Sequence, residues 1–384
     1  MIRRMRALLL LFVASTVTAQ TTWIVEYGNP TAMPTLAAAV AAAADGDTIV
    51  IRHALELTLG AIPITKSLHI LGKTATGGAP GVYFANGGGL DIQIAAGKEL
   101  VFANCRLGSF GSQTVPAVVN ISNSAGRVVL QDLTGLFRLT ISQSQQVLLS
   151  RLDIETELGT AITASVVALD RCTLQGRTGF VDFGLQSAQA MRLDSSTVHG
   201  MNTTLRGGDQ ASGKAGPSPL FPGMRALTAV SSSLTLSGAG SNVLSGVMAV
   251  GPPISSTGST FVFHPGLQPA IGGTFTVTTR FLPTVSSNGF VSGGFANLIV
   301  TSPPGAPTAL LFGAPGDRLA IPGVSGDLWI DPQAYCIPAV GVGGASWAVT
   351  VPPSPVLFGQ AYCWQGLVLS QGLELGGPGS ALLR

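Results

Sequence analysis

A ladder of short apolar segments, each about twenty residues after the previous one, runs through the first two-thirds of this 384-residue chain. The segments are Leu100–Gly108, Val128–Gly135, Val147–Ile154, Val167–Gly176, Met191–Gly200 and Ser231–Gly238. Alignment on their common pattern places Cys105, Leu133, Leu152, Cys172, Ser196 and Leu234 in one column. The segments are too short for helices and alternate in apolarity with period two, so each is predicted to be a strand. A repeated strand with variable insertions predicts a solenoid whose coils differ mainly in their loops.

The N-terminus has the pattern of a secretory signal peptide over residues 1–19. Three arginines precede an apolar run from Ala7 to Val17, and small residues around Ala19 form a cleavage site. Cleavage removes three of the 20 basic residues and none of the 18 acidic ones, which leaves a net charge of about −1. We therefore expect a secreted, extracellular or cell-surface protein with no transmembrane segment after cleavage and no nucleic-acid partner.

Changes in pattern along the chain predict its domain organisation. The Ala-rich run after Thr35 predicts a capping helix that ends near Gly46, and the coil strands follow it. The period disappears after Gly251, where a Pro-Pro pair and a Ser/Gly stretch indicate a boundary. Short alternating strands between Gly/Pro turns, from Gly272 onward, predict a β-sandwich. The expected domains are a signal peptide (1–19), a parallel β-helix (20–251), a linker (252–271) and a β-sandwich domain (272–384).

Two stretches also resemble known families. The opening, TWIVEYG…TLAAAVAAAADGDTIVIR…ITKSLHILG, resembles that of the pectin-lyase-like right-handed parallel β-helix superfamily, over about Thr22 to Gly251. The resemblance implies an all-β fold, a right-handed parallel β-helix with an N-terminal helical cap. It implies little about function, because that superfamily contains lyases, hydrolases, adhesins and proteins without catalysis. The tail, DLWIDPQAYCIP…VLSQGLELG, resembles a C-terminal β-domain of many secreted bacterial surface proteins, to which no catalysis is assigned.

The four cysteines divide into two kinds. Cys105 and Cys172 lie three coils apart in one column, so about 14 Å should separate them, beyond the reach of about 7 Å that a disulfide allows. We expect these two to fill the interior as small apolar residues. Cys336 and Cys363 lie in duplicated Gln-Ala-Tyr-Cys segments of one domain, and we expect a disulfide between them. The alternative is two free thiols on adjacent strands. No Cys/His spacing indicates zinc, and no metal is expected.

Charged residues cluster where the odd-numbered positions from Arg151 to Glu157 should face solvent. The column alignment places Asp132 beside Arg151 and Arg177 beside Glu157, which predicts a ladder of cross-strand ion pairs. An alternative is a polysaccharide lyase or glycoside hydrolase acting on this outer face. Its catalytic residues would be Asp153, Glu155, Arg171 and Arg177. Ca²⁺ is expected only for the lyase alternative, and no cofactor otherwise.

A Gly/Ser/Pro-rich insert from Arg206 to Gly223 should bulge from one coil. Asp209 and Lys214 in it are candidate ligand contacts, because inserts often line grooves on solenoids. The leading functional hypothesis is a secreted or cell-surface, non-enzymatic β-helix protein with a structural, adhesive or polysaccharide-binding role. Its expected partners are extracellular polysaccharide or other cell-surface components. The lyase or hydrolase described above is the alternative.

Overall fold

The computed structural model describes residues 20–382, except 58–59, 75–77, 86, 110–115, 180–185, 211, 214–215, 218–222, 289, 291–292, 354–359 and 371. The predicted signal peptide lies outside the described residues. The described part contains one helix, α1 (Leu36–Ala42), as the Ala-rich run predicts. Thr35 caps it, since its side-chain oxygen accepts a hydrogen bond from the backbone N–H of Ala38 at 3.1 Å.

Most of the remaining described chain is β-structure. The strands of its first part are β1 (Thr22–Glu26), β2 (Thr48–Glu56), β3 (Ala61–Ile64), β4 (Leu68–Gly72), β5 (Gly81–Phe84), β6 (Gly89–Ile92), β7 (Glu99–Ser109), β8 (Ala117–Ser122), β9 (Arg127–Ser142), β10 (Val147–Ser150), β11 (Asp153–Thr156), β12 (Thr160–Thr163), β13 (Val166–Asp170), β14 (Thr173–Gly176), β15 (Met191–Asp194), β16 (Thr197–Met201), β17 (Thr204–Arg206), β18 (Ser212–Gly213), β19 (Gly216–Pro217), β20 (Leu227–Val230), β21 (Ser233–Ser237), β22 (Asn242–Leu244), β23 (Ile254–Phe263) and β24 (Ile271–Thr279). The short pair β18–β19 is separate and antiparallel. The other 22 strands form one large parallel sheet, which we call the parallel body.

The parallel body consists of three ladders of strands, here called faces. Face one contains β4, β10, β13, β16 and β21; face two contains β5, β11, β14, β17 and β22; face three contains β3, β6, β8, β12, β15 and β20. The long strands β2, β7, β9, β23 and β24 contribute to more than one face. Alternate residues point inward and form rows; on face one such a row is Leu68, Leu100, Val128, Val147, Val167, Val198, Leu234 and Phe261, all fully buried.

The strand register confirms only the first four members of the predicted column. Cys105 pairs with Leu133, and the flanking pairs continue that row through Leu152 to Cys172. The next residues in the row are Thr203 and Ser241, because β14 pairs with β17 and β17 with β22. The expected members Ser196 and Leu234 were wrong: Ser196 lies between faces three and one, and Leu234 lies on face one. The segment between Gly176 and β15 is longer than the corresponding earlier connections, so 31 residues separate Cys172 from the next member of its row, Thr203. A spacing of about twenty residues therefore selects a residue on the preceding corner.

Left-handed backbone conformations stack at two corners of the parallel body. The corner between faces one and two carries Asn104, Asp132, Arg151, Arg171 and Asn202, with φ between 50° and 58°. The corner between faces three and one carries Asn123, Gln143, Ala164, Ser195 and Ser231, with φ between 47° and 50°. Residues with a Cβ rarely adopt this backbone conformation, so its recurrence marks a turn geometry that five successive levels of the parallel body repeat at each corner.

A ladder of buried serines follows the second corner. Its members are Ser124, Ser144, Ser165, Ser196, Ser232 and Ser259, each at most 5 % exposed. The backbone N–H of each of the first five donates to the hydroxyl of the next, at 3.1 to 3.2 Å. These bonds satisfy N–H groups that the corner would otherwise leave buried without partners.

The parallel sheet continues beyond Gly251, where the sequence predicted a linker over 252–271. Strand β23 pairs with β20 and β21, and β24 extends the sheet to Thr279. The Ser/Gly composition that indicated a boundary belongs instead to a strand with few inward apolar residues. Gly258, at φ 63°, lies where the register shifts at the corner.

Two further sheets, mostly antiparallel, follow the parallel body. Their strands are β25 (Thr284–Ser287), β26 (Phe295–Thr301), β27 (Pro307–Ala320), β28 (Val324–Ser325), β29 (Asp327–Val342), β30 (Gly344–Thr350), β31 (Ala361–Leu369), β32 (Leu373–Leu375) and β33 (Gly379–Leu382). One sheet has the order β25-β26-β30, and the other β28-β32-β31-β27-β29, with β33 also on β31. Leu298 from the first and Leu310 and Trp364 from the second share one buried cluster.

The second of these sheets covers face one. The outward row of that face is His69, Val101, Val129, Leu148, Ala168 and His199. Its four apolar residues are at most 2 % exposed and belong to one cluster with Trp329, Ile330 and Cys363. Faces two and three are therefore the ones available for a large ligand.

All four cysteines are free, so the predicted Cys336–Cys363 disulfide was wrong. Cys336 pairs with Phe312 of β27, and Cys363 pairs with Gly313 on the other side of the same strand. Two strand spacings, about 10 Å, separate the two cysteines, which exceeds the disulfide limit of about 7 Å. The duplicated motifs lie on two strands that are both neighbours of β27 and not of each other. Burial raises the pKa of Cys363 to about 12.

Candidate functional site

Two exposed carboxylates lie next to each other on face two, at the position where the sequence analysis placed them. Ile154 points inward and is 1 % exposed, so Asp153 and Glu155 on either side of it point outward. We call these two residues the acid pair. Alternate positions of a strand lie about 7 Å apart, which sets the spacing of the two carboxylates.

Three of the four positions that flank the acid pair on neighbouring strands are polar, and the fourth is Leu136, beside Glu155. Asp153 lies between Thr134 of β9 and Thr173 of β14 in the strand register. Gln175 occupies the position beside Glu155. Hydroxyl, amide and carboxylate groups thus occur together on one open surface, which we call the face-two site. Such groups donate and accept hydrogen bonds in the way that sugar hydroxyls require.

The acid pair has no cationic partner among the described residues. The charged residues on either side of it, in contrast, form ion pairs. Arg151 Nε and Nη2 donate to Asp132 Oδ1 and Oδ2 at 2.7 and 2.8 Å, a bidentate ion pair. Arg177 Nη1 lies 3.6 Å from Glu157 Oε1. Both predicted ion pairs of the ladder are therefore present, and the acid pair lies between them without a partner of its own.

Arg171, the first arginine of the enzyme alternative, is held by groups away from the acid pair. Its Nη2 donates to Asp170 Oδ2 at 2.9 Å, and its Nη1 donates to the backbone carbonyl of Ser287 at 2.8 Å. Asp170 is fully buried and also accepts a hydrogen bond from Ser150 at 3.0 Å. Arg171 therefore connects the corner of face one with the C-terminal sheets.

Arg177, the second of these arginines, is only 4 % exposed and is paired with Glu157. The structure thus brings Asp153 and Glu155 together and leaves neither arginine in the position of a free base. The side chains of the face-two site can bind a polar ligand through hydrogen bonds. Proton abstraction by a nearby arginine is not supported by these contacts.

The candidate ligand contacts of the insert lie elsewhere. Asp209 accepts hydrogen bonds from Arg206 Nη2 at 3.0 Å and from the backbone N–H of Val247 at 2.8 Å. Its carboxylate therefore joins two neighbouring coils. Lys214 lies outside the described residues.

A cleft between the parallel body and the C-terminal sheets was not foreseen from the sequence. Its cavity volume is about 50 Å³, and the residues that line it include His199, Arg280, Ser325, Asp327 and Trp329. His199 Nε2 lies 3.7 Å from Asp327 Oδ2, and Arg280 Nη2 donates to Ser325 Oγ at 2.7 Å. Burial lowers the pKa of His199. The polar contacts in this cleft join the two parts of the molecule, and no local motif could have indicated them.

Within the described residues, no group of three or more His, Cys, Asp or Glu side chains is arranged to hold a metal ion. In the same part of the chain, no helix has the length and apolarity needed to cross a bilayer. Comparison with known proteins finds no protein-family profile that matches the sequence and no curated protein that is significantly similar to it.

Proposed function

We propose that this protein is a secreted or cell-surface, non-enzymatic protein that binds an extracellular polysaccharide across face two. In this proposal the parallel body is a right-handed parallel β-helix of the pectin-lyase-like kind, and the C-terminal sheets form a β-sandwich. The three parallel ladders, their stacked corners and the helix over the first coil support that view of the fold.

The observation that carries the function is the exposed acid pair without a cation, among threonine and glutamine side chains. Adjacent coils repeat at about 4.8 Å, and outward positions along a strand at about 7 Å, so a sugar chain can cross several coils. Two carboxylates without counter-charge repel a polyuronate. The site therefore favours a neutral polysaccharide or one that contains amino sugars.

The enzyme alternative rests on the same acid pair. Unpaired carboxylates could hold Ca²⁺ for a lyase, and their spacing falls in the range of about 6.5–9.5 Å that inverting hydrolases use. A lyase also needs a basic group free to take a proton, and Arg171 and Arg177 are both engaged with acidic partners. Binding is therefore better supported than lyase activity, and a hydrolase would be recognised by the release of shortened sugar chains.

The test compares the mature protein with an Asp153→Asn/Glu155→Gln double variant, which removes both charges and keeps the shapes. Chitosan oligosaccharides, laminarin and polygalacturonate serve as probes in a binding assay. We expect the double variant to lose at least about tenfold in affinity for chitosan oligosaccharides, a change of about 1.4 kcal/mol. Asp91→Asn, an outward carboxylate on face three, is the matched control and should bind normally.

Equal binding by the double variant and the parent protein would overturn the proposal. Release of unsaturated products from polygalacturonate that requires Ca²⁺ and disappears in Asp153→Ala would establish the lyase alternative instead.

A further inference from the structure

The two ends of the parallel body are closed differently. At the N-terminal end, α1 lies over the first coil, with Leu36 and Ala39 fully buried against the core. The strand β1 is also bridged on its outer side, where Val25 pairs with Met33. Among the described residues, this end exposes neither a long free strand edge nor the interior apolar rows.

The C-terminal end of the parallel body is open. Strand β24 pairs with β23 on one side, and no described strand pairs with its other edge. Phe275 and Val277 are 43 % and 41 % exposed, although Val277 continues the inward row of Phe261. Phe281, immediately after the strand, is 44 % exposed. Unpaired backbone groups and exposed interior side chains therefore occur together, a combination that folded proteins normally cover.

We propose that the open end pairs with the open end of a second copy, β24 against β24 in antiparallel orientation. A head-to-tail stack is excluded because α1 covers the other end of each copy. Two identical open ends can meet about a two-fold axis, and this contact closes at a dimer. The inward row that ends at Val277 in one copy continues into the same row of the other.

The charge and length of β24 suit this arrangement. Residues 271–279 carry no charged side chain, so two copies meet without like-charge repulsion. Its face-one part, residues 275–279, spans roughly 17 Å and can pair with the same part of a second copy. A charged partner protein would find no complementary charge on this strand, whereas a second copy presents the same uncharged, threonine-rich edge.

The experiment measures the mass of the mature full-length protein by analytical ultracentrifugation over a wide concentration range. Wild-type protein should be a dimer. Thr276→Lys places a lysine from each copy at the contact, and this variant should be monomeric at low salt while it keeps the circular dichroism spectrum of the folded protein. Thr163→Lys, the same substitution at an exposed outward threonine of face three, is the matched control and should remain dimeric.

Amide hydrogen exchange gives a second measurement that does not depend on a variant. Residues 271–279 should become protected as the wild-type concentration rises, whereas β12 should not change. A wild-type protein that stays monomeric at every concentration would overturn the proposal. A dimer that Thr276→Lys leaves intact, or that Thr163→Lys dissociates equally, would also overturn it.

Discussion

At the scale of single residues, each stacked left-handed corner carries a conformational cost. Ala164 is exposed, adopts φ 48°, and gains nothing from its methyl group that the described contacts reveal. A residue with a Cβ pays about 1–2 kcal/mol in this conformation. Ala164→Gly should therefore raise the free energy of unfolding by about 0.5–1 kcal/mol in urea denaturation, even though glycine is more flexible in the unfolded chain.

The control for this prediction is Ala161→Gly, three residues earlier in the extended strand β12. Glycine within a strand costs about 0.5–1 kcal/mol, so this variant should be less stable than the parent. The two substitutions should thus have opposite signs. Destabilisation by both would contradict the corner argument.

Substitution in the serine ladder should lower the free energy of unfolding, and by more than Ala164→Gly raises it. The Ser165 hydroxyl accepts from the backbone N–H of Ser144 at 3.1 Å and donates to the carbonyl of Thr163 at 2.7 Å. Ser165→Ala leaves the Ser144 N–H buried without its partner, which should cost about 1–3 kcal/mol in chemical denaturation. Ser142→Ala, at an outward position at the end of β9, should change stability by less than about 0.5 kcal/mol. Equal effects of the two substitutions would show that the ladder contributes nothing.

At the scale of elements, the capping helix depends on a carboxylate from the strand below it. Glu56 of β2 is buried, and its Oε1 accepts a hydrogen bond from the backbone N–H of Leu36 in the first turn of α1. Burial raises the pKa of Glu56, against the opposing effect of backbone N–H groups of Leu36 and Ala37. The folded state therefore holds this proton more tightly than the unfolded state does.

This raised pKa sets the sign of a pH prediction. The contribution of Glu56 to stability is complete below the ordinary pKa of 4.5 and declines as the pH rises through the raised value. Glu56→Gln keeps an acceptor for the Leu36 N–H without a buried charge, so its unfolding free energy should lose this part of the pH dependence. Glu56→Ala removes the acceptor and should cost about 1–2 kcal/mol. Equal stabilities and equal pH profiles of the two variants would contradict the capping role.

Local sequence patterns predicted most of the parallel strands. Most of the errors concern contacts between segments that are far apart in the chain. Alternation of apolar residues identified the parallel strands and placed Asp153 and Glu155 on the outside of β11. It failed for β23, where only a few inward residues such as Ile254 and Phe261 are apolar. The pairing order of β27 with its neighbours, which separates Cys336 from Cys363, leaves no trace in the local sequence.

At the scale of the whole molecule, the C-terminal sheets cover face one along a row that has a histidine at each end. Burial lowers the pKa of both His69 and His199. Nearby acids oppose this shift, Glu99 for His69 and Asp327 for His199, and nearby arginines reinforce it, Arg127 and Arg318 respectively. The docked state thus favours two neutral imidazoles.

Acidification should therefore loosen the contact between the C-terminal sheets and face one. A histidine with a lowered pKa contributes stability that is complete above the ordinary value of 6.5 and is lost as the pH falls below it. Trp329, only 3 % exposed beside this face, should report the change as a red shift of its fluorescence as the pH falls. A His69→Gln/His199→Gln double variant should shift much less, and His53→Gln, an exposed histidine of β2, should behave like the parent. If the double variant responds to acid as the parent does, these two histidines do not control the docking, and the charge change must arise elsewhere in the interface.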